Sequence, residues 1–292
     1  MARLRHGLVR RLTAWLEAAH PYPVVMVLAL TQLLGFASAD GSPEASRLAI
    51  ATTAMLLSQL AIGWTNDYVD REGDALYQPW KPVASGALAA SALRPAAFVA
   101  AIASLALAGV LGLLSLTFCA IGTAAGLSYD LRLKDTPFSW LPYMVGFAVL
   151  PPFVWSAIDA FEGGFLWLYP IAAPLVLAVH LGQVLPDIDD DRRALRGGFA
   201  VSLGSATAFR LLLVCLVLPP ALMLLSLTWL DYDLAILGAA FAVYVVLLAL
   251  ALGLYGRPGS ERAAYRPLAL AAVLFSAGWL AAVCHTIGSN GA

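Results

Sequence analysis

The chain has 292 residues, of which 61% are hydrophobic and only 12% are charged, and its mean hydropathy is +0.82. A soluble globular domain carries about 25% charged residues, so this composition excludes an ordinary soluble domain and indicates a protein whose solvent is lipid. The net charge of −1 carries no information about partners, and no long basic tract suggests nucleic acid.

The first element in chain order is a basic amphipathic segment at residues 1–21. Arginines at positions 3, 5, 10 and 11 alternate with apolar residues such as Leu8 and Trp15. We expect this segment to lie on the inner leaflet of the membrane. A signal peptide is the alternative interpretation, but eight further apolar runs follow the first one and no clear cleavage site separates them.

Nine apolar runs follow, and each is a candidate membrane span. A transmembrane helix needs roughly 20 apolar residues to cross about 30 Å of hydrocarbon. Long unbroken runs favour helices over barrel strands, in which apolar and polar residues alternate. The runs lie at 22–38, 46–65, 92–112, 115–129, 139–158, 165–185, 201–228, 234–254 and 267–287. The third and fourth runs are barely separated, so eight spans is the alternative count.

The placement of the basic residues predicts the orientation of these spans. With nine spans and the N-terminus inside, 16 of the 17 basic residues fall on the cytoplasmic side, and Arg47 alone falls near the outer face. This asymmetry is what the positive-inside rule expects. The sequence therefore predicts an all-α integral membrane protein of about nine transmembrane helices, with the N-terminus cytoplasmic, the C-terminus outside, and a single domain at 22–292.

Two acidic clusters stand out at the cytoplasmic ends of the second and sixth spans. Both have an amide residue followed by Asp at the fourth and eighth positions after it. The first set is Asn66, Asp70 and Asp74, and the second is Gln183, Asp187 and Asp191, at a constant offset of 117 residues. Residues at this spacing lie along one face of a helix. The repeat also suggests that spans 2–5 and 6–9 are related units.

These clusters predict a magnesium–diphosphate site. So many carboxylates near a membrane repel one another unless a cation neutralises them, and such residues are functional candidates. Carboxylate and amide oxygens suit Mg²⁺, which commonly bridges a few carboxylates to phosphates. Asp67 lies beside the face of the first cluster and is included among its ligands. The alternative, that acids gather in wet loops, explains two matched arrays poorly. His180, within the sixth span, is interpreted first as a structural residue and second as a functional one.

At these residues the sequence resembles the UbiA superfamily of intramembrane prenyltransferases. Members carry NDxxDxxxD after the second helix and DxxxD after the sixth. The segment 66–74 reads NDYVDREGD here, and the run that follows contains Pro79, Lys81, Pro82, Ser85 and Gly86, as in the family's first loop. The segment 129–134 is similar to the family's Tyr-Ser-x-x-Leu-Lys segment. The resemblance covers essentially the whole chain.

The resemblance implies roles for individual residues. Asn66, Asp67, Asp70 and Asp74 would bind one Mg²⁺, while Asp187 and Asp191, with Gln183 at the matching amide position, would bind the other. Lys81, Arg71, Lys134 and Arg132 would contact the diphosphate, and Tyr129 would face an allylic cation. Asp70, Asp187 and Tyr129 are the predicted catalytic residues. Three positions depart from the family pattern: Gln183 stands where many members have Asn, Asp130 replaces Ser or Thr, and His20-Pro21 replaces Arg-Pro. The spacing of the linker from Arg192 to Gly198 differs from the usual one as well.

The implied reaction is Mg²⁺-dependent transfer of a prenyl group from a prenyl diphosphate, through an allylic carbocation, to a lipophilic acceptor. The main expectation is an aromatic acceptor such as a quinone or chlorophyll-type precursor. Alternatives are transfer to a glycerol phosphate lipid, a membrane terpene cyclase and, from a different class, a cation-coupled transporter. The composition is consistent with a bacterial inner membrane, where the active site would face the cytoplasm.

Overall fold

The computed structural model describes residues 12–39, 42–193 and 196–290, with side chains to residue 283. Within these ranges, nine helices are long and apolar enough to cross a membrane. Their α-helical parts are α1 (Pro21–Ser38), α2 (Ala45–Tyr77), α3 (Ala90–Val110), α4 (Leu113–Ser128), α5 (Trp140–Ile158), α6 (Leu168–Val184), α7 (Ser205–Ser226), α8 (Leu234–Tyr255) and α9 (Glu261–Asn290); the spans of α4 and α6 also include the adjoining helical turns, as far as Leu133 and from Gly163 to Arg193. The all-α prediction with nine spans is therefore confirmed. The orientation, the domain limits and the relation of spans 2–5 to 6–9 stay predictions.

The narrow link between the third and fourth spans is a real helix boundary. Only Leu111 and Gly112 separate α3 from α4. Gly112 has φ of 122°, a conformation that a residue with a Cβ adopts only with strain. A glycine at this position lets the chain reverse between two spans with no longer loop.

The two motif-bearing helices end differently. The second span was expected to end near residue 65, but α2 continues to Tyr77, so the whole first motif is helical. The second motif is interrupted, because α6 ends at Val184 and a 3₁₀ turn (Leu185–Asp187) precedes a short helix (Ile188–Arg193). Pro186 has no N–H to donate to the helical ladder, so Gln183 and Asp191 lie on separate helical segments.

The helices surround a cavity. α1 contacts α2, α5 and α9, while α6 contacts α5, α7 and α9. Residues of α1, α2, α4, α5, α6 and α9 line the cavity, whereas α3, α7 and α8 contribute none to its lining. The helices α2 and α6 both end at the same end of the bundle, and we call this end the motif end.

The described part of the N-terminal segment packs on the motif end. Residues 12–18 are helical, and residues 1–11 lie outside the described residues. The indole of Trp64 donates to the carbonyl of Trp15 at 3.2 Å, and the two rings meet edge to face. His20 follows in the left-handed region with φ of 55°, and Pro21 begins α1 at the position where proline costs no helical hydrogen bond.

We expect Gly63→Ala to destabilise the protein, because Gly63 allows α2 to touch the segment before α1. A Cβ there would lie 2.7 Å from the carbonyl oxygen of Ala19 and 3.0 Å from its Cα. The backbone must shift, at a cost of roughly 1–3 kcal/mol, so the thermal midpoint in detergent should fall. Gly109→Ala in α3 is the control, since a Cβ there meets nothing within 4 Å. Equal midpoints for the two variants would contradict this close contact.

Candidate active site

A cavity of about 330 Å³ lies between α1, α2, α4, α5, α6 and α9 and is lined mostly by apolar side chains. Along α6 its lining extends from Leu168 to Gln183, a distance of about 22 Å at the rise of an α-helix. At the motif end the lining includes His20, Asn66 and Asp130. The cavity is thus a long apolar space with titratable and amide groups at one end.

Two lysines from outside α2 pair with carboxylates of the first motif. Lys134 donates to Asp70, and the two side chains are largely buried. Lys81 donates to Asp74 at 2.8 Å. Lys81 follows α2 and Lys134 follows α4, so these ion pairs fasten both loops to the motif-bearing turns of α2.

The third carboxylate, Asp67, is the most deeply buried and has an incomplete set of contacts. Its side chain is 2% exposed, with His20 Nε2 at 3.2 Å and Lys81 Nζ at 3.8 Å from Oδ1. Neither of its oxygens makes a hydrogen bond within the described residues. A buried carboxylate without hydrogen bonds is costly unless a cation neutralises it. The surroundings of Asp67 therefore fit an additional positive charge.

The residues of the second motif contact three different elements. Gln183 accepts a hydrogen bond from the hydroxyl of Tyr143 on α5. Asp187 accepts from Nε and Nη2 of Arg262, at the start of α9, at 3.0 and 2.6 Å. Asp191 lies 3.9 Å from Nη1 of Arg196.

Arg196 contacts both motif-bearing segments. Besides its approach to Asp191, it lies over the ring of Tyr77 at 5.8 Å. Its Nη2 is 2.7 Å from the place that a Cβ on Gly73 would occupy. Because Gly73 and Tyr77 belong to the last turns of α2, one guanidinium connects the two acidic motifs.

Three rings meet where the predicted catalytic Tyr129 enters the cavity. Tyr129 begins a π-helical turn, Tyr129–Leu133, at the end of α4, a geometry frequent at functional sites. Its ring meets that of Tyr143 edge to face at 5.4 Å, and Tyr143 lies 4.8 Å from His180. His180 is fully buried, and its Nε2 is 3.3 Å from the hydroxyl of Ser139. Its Nδ1 is buried and has no hydrogen-bond partner within the described residues, so the structural and the functional interpretation of His180 both stay predictions.

Two of the predicted diphosphate contacts lie at the surface. Arg71 donates to the carbonyl of Tyr68 at 2.7 Å, pairs with Glu72 and covers the Tyr68 ring. Arg132 is exposed. Neither contacts a motif carboxylate among the described residues, whereas Lys81 and Lys134 do.

The chemistry of the site fits Mg²⁺. In the described part of the chain, no three His, Cys, Asp or Glu side chains are grouped closely enough to hold an ion by themselves. Basic side chains stand next to the motif carboxylates instead. The donor set is nevertheless made of carboxylates and amides, as Mg²⁺ prefers, and both oxygens of Asp67 lack hydrogen bonds. Mg²⁺ usually takes only a few protein ligands and completes its shell with waters and phosphate oxygens.

Sequence reasoning identified the acids of the site but not all of the groups that contact them. His20 was noted only as a departure from a family pattern. Arg196 and Arg262 were counted only as cytoplasmic charges. Arg262 and Asp187 are 75 residues apart and His20 is also remote from Asp67 along the chain, so the sequence carries no signal for these two pairs. Arg196 follows Asp191 closely in the sequence, and only this local pair was within reach of a sequence pattern.

The sequence is similar to a protein family and to two related proteins. The model of the UbiA prenyltransferase family matches residues 25–275. The digeranylgeranylglyceryl phosphate synthase of Natronomonas pharaonis is 28% identical over 191 residues, which cover 63% of this chain and 66% of that protein. The synthase of the same name from Methanopyrus kandleri is 26% identical over 200 residues, 65% of this chain and 71% of that protein.

A solved structure shows the same fold. A UbiA homolog from Archaeoglobus fulgidus bound to GPP and Mg²⁺ superposes with a TM-score of 0.73 at 16% identity, covering 93% of this chain and 99% of that one. The fold and the apolar cavity thus define a multi-pass helical membrane protein. Since the family model matches most of its length, the chain belongs to the UbiA prenyltransferase family.

Proposed function

We propose that the protein transfers a prenyl group from a prenyl diphosphate to a lipophilic acceptor in a Mg²⁺-dependent reaction. One observation carries the proposal: the lining of the apolar cavity reaches Asn66 and Gln183, the first residues of the two acidic motifs. An apolar tail fits the cavity, and a charged head fits the motif end, where acids and bases gather.

The residues divide into metal-holding and phosphate-holding groups. Mg²⁺ would be held by Asp67, Asp70, Asp74 and Asn66 on one side and by Asp187, Asp191 and Gln183 on the other. When bound, the metal neutralises charge on the departing diphosphate. Lys81 and Lys134 are bound to motif carboxylates and are therefore within reach of phosphates held there. Arg71 and Arg132 are assigned a secondary, surface role.

Tyr129 would stabilise the carbocation. It lines the cavity together with Asn66 and Asp130, close to the carboxylates that would hold the metal. An aromatic face attracts a cation, and the apolar walls exclude water that would quench it. The ionisation breaks the bond between the prenyl carbon and the diphosphate oxygen, and the diphosphate leaves with both bonding electrons. The acceptor then forms a new bond to that carbon and releases a proton.

The relatives favour glycerol phosphate as the acceptor class over the aromatic acceptor that was the main expectation. Both are named for a product with two geranylgeranyl groups on glyceryl phosphate. If the last step adds one of these groups, the acceptor is geranylgeranylglyceryl phosphate and the donor is geranylgeranyl diphosphate. An aromatic acceptor is the second candidate, supported by the rings of Tyr129 and Tyr143 at the motif end. The transporter alternative gains no support from the family.

The test uses purified protein, geranylgeranyl diphosphate and Mg²⁺, with geranylgeranylglyceryl phosphate, a hydroxybenzoate or no acceptor. We expect release of inorganic diphosphate that depends on Mg²⁺ and stops with EDTA, together with a prenylated glyceryl phosphate detected by mass spectrometry. Prenylation of the hydroxybenzoate alone would favour the second candidate. A terpene formed without acceptor would indicate a cyclase. The absence of Mg²⁺-dependent diphosphate release under all three conditions would reject prenyl transfer.

A further inference from the structure

One carboxylate at the motif end belongs to neither acidic motif. Asp130 lies in the π-helical turn after α4, is 3% exposed and lines the cavity. Its Oδ1 accepts a hydrogen bond from Nδ2 of Asn66 at 2.8 Å. Its Oδ2 is buried and has no hydrogen-bond partner within the described residues. Asp130 is therefore a fixed carboxylate with one oxygen unsatisfied.

Three other polar side chains of the cavity lining, Ser58, Thr123 and Gln183, have hydrogen-bond partners within the described residues. The hydroxyls of Ser58 and Thr123 are 2.8 Å apart and satisfy each other, and Gln183 is bound to Tyr143. A buried acceptor without a hydrogen bond is unfavourable. A ligand that donates a hydrogen bond to Asp130 removes this cost, so it gains more binding free energy there than at groups that are already paired.

The chemistry of the reactants decides which of them can supply that donor. Oδ2 of Asp130 can accept a hydrogen bond and has no partner within the described residues. The diphosphate group of the donor substrate is rich in acceptors and offers no hydrogen-bond donor to that oxygen, and its prenyl chain has no polar atoms. The hydroxyl of a glyceryl or phenolic acceptor is an O–H donor, and hydrogen bonds from O–H to a carboxylate are among the strong ones.

We propose that Asp130 binds the prenyl acceptor through a hydrogen bond from its reacting hydroxyl to Oδ2 and thereby selects hydroxyl-bearing acceptors. The inference rests on the proposed prenyl transfer and specifies its acceptor side. Asn66 orients the carboxylate by holding Oδ1, and its neighbour Asp67 in α2 belongs to the diphosphate side. The hydroxyl would thus be held next to the place where the diphosphate leaves.

The test compares wild-type protein with Asp130→Asn, in which Asn66 keeps an oxygen to donate to while the second oxygen becomes an NH₂ group. The acceptor probes are geranylgeranylglyceryl phosphate, a hydroxybenzoate and the O-methyl ether of each. We expect the KM of the hydroxyl acceptor to rise about 10- to 100-fold, as for loss of a hydrogen bond to a charged group. The KM of geranylgeranyl diphosphate and the Mg²⁺ concentration for half-activation should stay unchanged.

The ethers supply a second readout. With each ether measured as an inhibitor, wild-type protein should bind it about 10- to 100-fold more weakly than the parent hydroxyl compound. Asp130→Asn should bind the ether and its parent hydroxyl compound with equal affinity. The compound that shows this difference identifies the glyceryl or the phenolic source of the hydroxyl. Asp135→Asn is the matched control, because Asp135 is an exposed acid five residues further along the same segment; its KM values should equal those of the wild type.

Two results would overturn the inference: an unchanged acceptor KM with unchanged ether discrimination, or a shifted Mg²⁺ requirement with normal acceptor binding, which would make Asp130 a metal ligand. If Asp130→Asn does not fold, as judged by loss of its thermal unfolding transition in detergent, Asp130→Ser carries the same test. If wild-type protein transfers no prenyl group at all, the proposed function fails. Calorimetric binding of hydroxyl and ether compounds then still decides the role of Asp130.

Discussion

Asp70→Asn should reduce the rate of prenyl transfer by more than about 100-fold. Loss of a residue that only supports a metal ligand typically reduces activity about 10- to 100-fold, and loss of a ligand itself should cost more. Asp70 lies in the middle of the first motif, one helical turn from both Asn66 and Asp74, and it pairs with Lys134. The substitution removes a carboxylate charge from the metal site and also releases Lys134, a proposed diphosphate contact. Steady-state rates at saturating and limiting Mg²⁺ measure the loss.

The matched control for Asp70→Asn is Glu72→Gln. Glu72 lies on the same turn of α2, and its side chain is 85% exposed in a surface pair with Arg71. Surface pairs contribute little to stability, so Glu72→Gln should retain near wild-type rates. Both variants should keep a thermal midpoint that shows folded protein. Wild-type activity in Asp70→Asn would remove this residue from the metal site.

Asp187→Asn should cause a comparable loss of activity and raise the Mg²⁺ concentration needed for half-activation. Asp187 belongs to the second motif and is held by Arg262 in a pair that is largely exposed, with side-chain exposures of 41% and 70%. Breaking an exposed pair changes stability by less than about 1 kcal/mol. A large loss of rate in folded protein would therefore report chemistry rather than folding.

Asp190→Asn, in the short helix that directly follows the turn of Asp187, is the control. Asp190 is also in an exposed ion pair, with Arg193 at 2.9 Å, so the two substitutions break similar surface contacts. Only Asp187 is at a position matched to Asp70 by the spacing of the motifs. Similar rates for the two variants, at every Mg²⁺ concentration, would show that the second motif does not hold the metal.

The features that follow from local pattern were predictable from the sequence. The count of nine spans rested on runs of apolar residues, and α1 to α9 confirm it. The helical spacing of the first motif is retained because α2 continues through it to Tyr77. The second motif departs from one continuous helix because Pro186 removes a backbone donor, which the spacing of the acids alone did not show.

Contacts between distant segments were not predictable. Asn66 and Asp130 are 64 residues apart, and their hydrogen bond depends on how α2 packs against the turn after α4. In the same way, Arg196 reaches the end of α2 only because the segment after the second motif folds back on it. A single sequence shows which residues are polar but not which ones meet, since that depends on the packing of helices against one another.

The central claim is that two acidic motifs, 117 residues apart in the sequence, form one metal–diphosphate site. Anomalous diffraction from crystals grown with Mn²⁺ and a non-reactive prenyl thiodiphosphate tests it most directly. Mn²⁺ should lie within about 2.0–2.3 Å of oxygens from both Asp70 and Asp187, with phosphate between the motifs and the prenyl chain in the cavity. Mn²⁺ bound elsewhere, or at one motif with the diphosphate away from the other, would contradict it.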